Sequence, residues 1–168
     1  MGTRWLDPKE MAAWVRLAAL VELLPGVLDS QLRRDSDLTH FEYWVVAMLS
    51  EAPERTLRMS TLAARTNATL PRLSHVVSRL EARGLVERFP CPDDARAVNA
   101  RLTRKGWQAI VAAAPGHVAN VREHVVDALS REQLGQLTRI ADAVLDRLDP
   151  DGTIVGELRD RSPVPRGR

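Results

Sequence analysis

Residues Asp93 to Gly106, DDARAVNARLTRKG, set Asp94 two positions before Arg96 in a stretch that reads as the tip and return arm of a β-hairpin. A carboxylate that close can orient a guanidinium, and an extended arginine suits a narrow, electronegative minor groove. The alternative is a pair that only stabilises the turn. Upstream, a helix is expected from Thr69 onward. Projected at about 100° per residue, Pro71, Arg72, Ser74, His75, Ser78 and Arg79 share one side, and Leu73, Val76, Val77 and Leu80 share the other. A guanidinium can bond both O6 and N7 of guanine, so Arg72 is expected to read a base, while Arg79, further along, is expected to meet phosphate. His75 either touches a base or only faces solvent. Thr69, Pro71 and Ser74 would lie against phosphate or thymine methyl groups. Ser60, at the start of the preceding helix, would hold a phosphate through its hydroxyl and the local backbone amides.

Charge along the chain agrees with that chemistry. The net value is only +2, but residues 1–54 hold 5 Lys/Arg against 9 Asp/Glu, residues 55–105 hold 11 against 4, and residues 106–168 hold 8 against 9. The middle is basic by +7 between two mildly acidic flanks, as expected of one module that meets phosphate. A solvated basic surface would give the same numbers, so pattern has to decide. Other chemistries lack their residues. There is no phosphate-cradling glycine loop, and Cys91, the one cysteine, has no evident base partner. His117 and His124 stand seven apart without a further ligand at zinc spacing, so no metal, no cofactor and no enzymatic activity are expected. With 168 residues, 45% hydrophobic and 27% charged, the chain reads by default as one compact globular unit, with one domain plus a helical appendage as the alternative. Its uninterrupted apolar runs fall short of the roughly 20 residues that cross a bilayer, and no leader pattern opens it, so a cytoplasmic protein without a membrane partner is expected.

Helix signals place these residues. Asp7-Pro8-Lys9-Glu10 is a capping box with proline at the first helical position, ahead of Met11, Trp14, Val15, Ala18, Val21, Leu24, Val27, Leu28 and Leu32 at helical spacing. Pro25-Gly26 reads as a kink within one long helix or a break into two. A second capping box, Thr39 to Glu42, starts a helix ending near Ala52-Pro53. Leu57 to Met59 reads as a short strand, Ser60 as the cap of a brief helix ending near Thr66-Asn67, and Thr69 as the cap of the outward-polar helix. After Gly84 the period becomes alternating: Leu85–Phe89 and Ala97–Thr103 read as strands around a tip from Pro90 to Arg96. Thr103 caps a helix through Trp107, Ile110, Val111, Val118, Val121 and Val125, kinked at Pro115-Gly116, and Ser130 caps a last one.

Taken together, Leu62-Ala63, Leu73, Val77, the run Leu80-Glu81-Ala82-Arg83-Gly84-Leu85-Val86-Glu87-Arg88, then Asp94-Ala95-Arg96 and Leu102-Thr103-Arg104-Lys105-Gly106, resemble the MarR family of winged-helix transcriptional regulators. The resemblance covers roughly residues 8–148. It implies a mainly α (α+β) fold, a winged helix-turn-helix with a two- to three-stranded wing between long dimerisation helices. The expected divisions are 1–36 (N-terminal dimerisation helix), 37–104 (DNA-binding unit), 105–149 (C-terminal dimerisation helices) and 150–168 (flexible tail). It further implies a homodimer on double-stranded DNA at an inverted repeat, and repression relieved by a small aromatic or phenolic ligand. Trp14, His40, Tyr43, Trp44 and Trp107 could line the ligand cleft or be ordinary core. Peroxide-sensing relatives carry their cysteine in the first helix, where this chain has none, which disfavours oxidation sensing through Cys91. A winged-helix scaffold or protein-interaction module without specific DNA binding is the alternative. An apolar outward helix face would favour it, and Arg72, His75 and Arg79 do not.

Overall fold

The computed structural model describes residues 2–154 apart from residue 93 and the side chain of Ala95. The expected hairpin residue Asp93 and most of the expected tail, 155–168, therefore lie outside the described residues. In chain order the elements are α1 (Pro8–Ser36), α2 (His40–Glu51), β1 (Thr56–Arg58), α3 (Met59–Arg65), α4 (Leu70–Ala82), β2 (Val86–Cys91), β3 (Asp94–Leu102), α5 (Arg104–Val121) and α6 (Arg131–Leu148). A single 3-10 turn precedes β1, and a π-helical turn, Arg122–Val126, follows α5.

Side chains that satisfy orphan amides start five of the six helices. Asp7, Thr39 and Ser130 form complete capping boxes with Glu10, Glu42 and Gln133, while Thr69 and Thr103 accept from the amides of Arg72 and Gly106. The exception is α3. It begins one residue earlier than Ser60, its cap Arg58 makes no side-chain capping bond, and Ser60 lies inside its first turn. The buried Met59 side chain belongs to this helix, not to the strand before it. Pro25 and Pro115 both sit inside continuous helices, so the first helix does not break into two.

The sheet has the order β1-β3-β2, antiparallel throughout. β3 is central, pairing Ala100 with Leu57 on one side and Leu102 with Val86 on the other. The wing arms are longer than the sequence suggested. Pro90 pairs within β2 rather than belonging to the tip, which is possible because β2 is an edge strand with one side free of ladder bonds. The register slips between Pro90 and Cys91.

One core joins these elements, built on Leu32, Leu38, Leu49, Leu62, Leu73, Leu80 and Ile110. Two crossings fix α4 and the wing on it. Gly84 adopts φ 70°, which lets the Leu85 amide donate to the Leu80 carbonyl and send Leu85 inward. Gly106, in the first turn of α5, packs so closely on Leu85 that a Cβ would overlap the Leu85 carbonyl oxygen and lie 2.6 Å from Leu102 Cδ1.

The flanking helices are different. Only Leu28, Gln31 and Leu32 of α1 are buried, and no residue of α6 is. Met11, Trp14, Val15, Leu20, Val21 and Leu23 of α1, and Leu137, Ile140, Val144 and Leu148 of α6, are exposed. α1 is also long and apolar enough to cross a membrane by length and composition, with a mean hydropathy of 1.7 over its best 18 residues. Arg16 and Glu22 divide its apolar residues into short runs, and most of those residues lie on the exposed face just described. Gly106→Ala is expected to cost about 2–3 kcal/mol through overpacking, read as a lowered urea midpoint at unchanged slope.

Candidate nucleic-acid interface

The outward side of α4 carries the residues expected there. Thr69, Pro71, Arg72, His75 and Arg79 are exposed, Ser74 and Ser78 are half-buried, and Leu73, Val76, Val77 and Leu80 are buried. Beside this face a groove of about 370 Å³ runs between α4 and the wing, lined by Arg58, Ser60, Ser74, Arg88, Asp94 and Arg96 among others. Six residues from four separate segments thus face one concavity, with four of the expected contacts (Ser60, Ser74, Asp94 and Arg96) among them.

Several arginines have partners inside the protein. Arg88 of β2 donates to Glu81 through Nε at 3.0 Å and Nη2 at 2.7 Å, and to Ser78 Oγ at 3.0 Å, while its amide donates to the same carboxylate. Those charge-assisted bonds hold the Glu81 carboxyl below the usual carboxylate range and tie the wing to α4. Arg79 lies 3.2 Å from Glu42, a carboxylate almost withdrawn from solvent, although its own side chain remains 62% exposed. Arg83 reaches Asp37 at 3.3 Å and the same Glu42 at 3.9 Å. Arg72 lies over the ring of Phe41, its Cζ 4.4 Å from the centroid. At the wing, the Asp94 carboxylate accepts the Arg96 backbone amide at 3.1 Å and lies 3.8 Å from Arg58. The bond from the Arg96 amide to Asp94 therefore acts on the backbone, where the sequence led to a bond from the guanidinium; a carboxylate two residues before an amide reaches it through its own short side chain.

A helix-turn-helix with a cationic outer face and an arginine-bearing hairpin defines a DNA-binding winged-helix protein. Comparison with known proteins narrows this. The model of the MarR family matches residues 36–97. Sco3205, a MarR family transcriptional regulator from Streptomyces coelicolor crystallised with DNA, is 41% identical over 89% of this chain and 93% of its own, with a TM-score of 0.84. AbsC, a MarR family regulator from the same organism, is 36% identical over 87% and 98%, with a TM-score of 0.82. CouR from Rhodococcus jostii, bound to p-coumaroyl-CoA, shares the fold at 21% identity over 80% and 90%, with a TM-score of 0.68. This chain belongs to the MarR family of DNA-binding transcriptional regulators.

A second concavity, also about 370 Å³, lies between α1, α2 and α5. His40, Tyr43 and Trp44 line it as expected, together with Met48, His117 and Arg122. Trp14 and Trp107 do not line it. Trp14 stands on the exposed face of α1, and Trp107 lies under Arg55, whose Cζ is 3.9 Å from its ring. His117 was legible only as half of an incomplete metal pair; here it packs on Tyr43 at 4.4 Å between centroids, and its buried Nδ1 has no hydrogen-bond partner among the described residues. Among the described residues no group of metal-ligating side chains forms. Burial pushes the Tyr43 hydroxyl up to about 12. Burial also holds both imidazoles below their ordinary range; neighbouring His40 lowers His117 further, whereas Asp29 partly opposes the shift of His40.

The unfolded chain therefore takes up these protons before the folded one does. Stability from the pair is full above about pH 6.5 and declines as the pH falls below it towards the folded values. Urea midpoints measured from about pH 7.5 to 5.5 should drop in the native protein, and His117→Phe should flatten that drop; an equally steep fall in the variant would assign it to other groups.

Proposed function

We propose that this regulator works as a homodimer that represses transcription from an inverted-repeat operator and is released by a small aromatic or phenolic ligand. The observation that carries the reading is the pair of uncovered apolar faces on α1 and α6, flanking a core that is already complete without them. Soluble proteins seldom leave so large an apolar surface to water, and such a surface marks an interface. A second copy covers both helices by symmetry, and sets two α4 helices on successive major grooves of one duplex face, with half-sites about 10–10.5 base pairs apart. On this reading Arg72 and His75 meet base edges; Thr69, Pro71 and Ser74 meet phosphate or thymine methyl groups; Arg79 and Ser60 meet phosphate; and Arg96 enters the minor groove from a turn shaped by Asp94. The protein would work in the cytoplasm, where such DNA is reached.

The cavity between α1, α2 and α5 suits the ligand. Its walls are mainly apolar and aromatic, and His40, Tyr43, His117 and Arg122 supply polar groups for a phenol or carboxylate. CouR, which shares the fold, holds p-coumaroyl-CoA, the thioester of a phenolic acid, and this supports the same chemical class here.

Selection of bound sequences from a random duplex pool should enrich an inverted repeat; recovery of no sequence above salt-sensitive background would reject the operator reading. On the enriched duplex, Arg72→Ala should cost about 1–3 kcal/mol and relax preference at one base pair, whereas Arg96→Ala should weaken all sequences similarly. The joint substitution Trp14→Asp with Leu20→Asp should halve the sedimenting mass. A variant that keeps the native mass would remove α1 from the interface.

A further inference from the structure

The first turn of α2 touches the DNA-reading face of α4 through two consecutive residues. Phe41 lies beneath the Arg72 guanidinium, and Glu42 pairs with Arg79. Arg72 and Arg79 are seven apart, two turns along one side of α4, so residues 41 and 42 reach both outward arginines of that stripe.

That turn is held firmly. Thr39 Oγ1 accepts the Glu42 amide at 3.0 Å, Glu42 Oε2 accepts the Thr39 amide at 2.9 Å, and Asp29 of α1 accepts the His40 amide at 2.8 Å. Phe41 is itself partly buried against the core. From the opposite side Arg88 bonds Ser78 and Glu81, so α4 is gripped along both edges.

We infer that the first turn of α2 is a positioning platform for the arginines of α4, with Phe41 the positioning residue that presents Arg72 to DNA. This rests on the reading of Arg72 as a base contact. A free arginine samples many rotamers and loses them on docking, whereas a guanidinium already held over a fixed aromatic ring keeps its direction before DNA arrives. The ring attracts the cation without using any of its five N–H donors, so the edge that would bond guanine stays available. Specificity at one base pair is then set partly by a residue outside the recognition helix.

The test compares the native protein with Phe41→Leu, Phe41→Tyr, Arg72→Ala and the double variant Phe41→Leu/Arg72→Ala. Each is titrated at fixed salt with the selection-enriched duplex, the same duplex altered at the base pair that Arg72→Ala relaxes, and an unrelated duplex. Phe41→Leu should weaken the enriched duplex about 3-fold to 5-fold, with the loss concentrated at that base pair and binding to the unrelated duplex unchanged. Phe41→Tyr should restore native binding, and the double variant should bind no worse than Arg72→Ala alone. In the free protein, the Arg72 Nε–H resonance should be displaced by the ring current, keep its place in Phe41→Tyr and lose it in Phe41→Leu. Native or tighter specific binding by Phe41→Leu, or an equal loss on all three duplexes, overturns the inference. So does an undisplaced Arg72 resonance in the native protein, which decides the case should Phe41→Leu fail to fold. Arg72→Ala binding like the native protein overturns the base-contact reading and the inference together. Arg72→Ala weak with Phe41→Leu intact overturns the inference alone.

Discussion

A carboxylate withdrawn from water at position 42 is the constraint on which the arrangement of this protein depends. An ionised group taken out of solvent loses several kcal/mol of hydration, so it persists only where charges and donors surround it. Glu42 has the Thr39 amide, Arg79 and, at longer range, Arg83. These partners come from two places: the amide from the turn that begins α2, and the arginines from the recognition helix. Satisfying the one carboxylate therefore fixes how α2 starts and how α4 lies against it. Arg83 carries the tie further, to Asp37, the left-handed residue that ends α1.

The consequence is a reading helix whose orientation is set from both sides. Glu42 and Phe41 hold one edge, and Arg88 of the wing holds the other through Glu81 and Ser78. The wing follows α4 because Gly84 turns the chain back and Gly106 lets α5 pack against Leu85. The same first turn of α2 also contributes His40 to the cavity under α1 and α5. Three consecutive residues thus face the cavity, the Arg72 side chain and the Arg79 side chain.

Local chemistry made most of the fold legible. Asp7, Thr39, Thr69, Thr103 and Ser130 each start a helix because a short oxygen-bearing side chain satisfies orphan amides wherever it stands, and that needs no distant partner. Ser60 failed as a cap because the pairing of β1 with β3 runs through Arg58, and burial of Met59 starts the helix earlier. Pro90 looks like a tip residue from its type alone; its place on the edge strand depends on the order of the sheet, which the sequence does not display. Helical projection correctly separated the outward and buried sides of α4. It could not show which arginines are paired inside the protein, since Arg88 needs Glu81 across a turn and Arg79 needs Glu42 from another helix. Trp14 and Trp107 were grouped with His40 by residue type, and type alone does not bring three helices to one cavity.

The charge partition has to be read again in that light. The basic middle of the chain owes its excess partly to Arg79 and Arg83, yet Arg79 pairs with Glu42 and Arg83 with Asp37 and Glu42, carboxylates of the acidic first segment. Charge divided along the sequence is therefore not charge divided in space. Arg88 and Arg101 likewise pair with Glu81 and Glu87, leaving their charges close to compensated. Such pairs do little for a duplex at a distance, where paired charges nearly cancel beyond a Debye length of about 8–10 Å. They act at contact, by fixing where the remaining cations point. On the proposed reading of Arg72 as a base contact, its direction matters more than the total charge around it, because bulk cationic charge attracts every duplex equally.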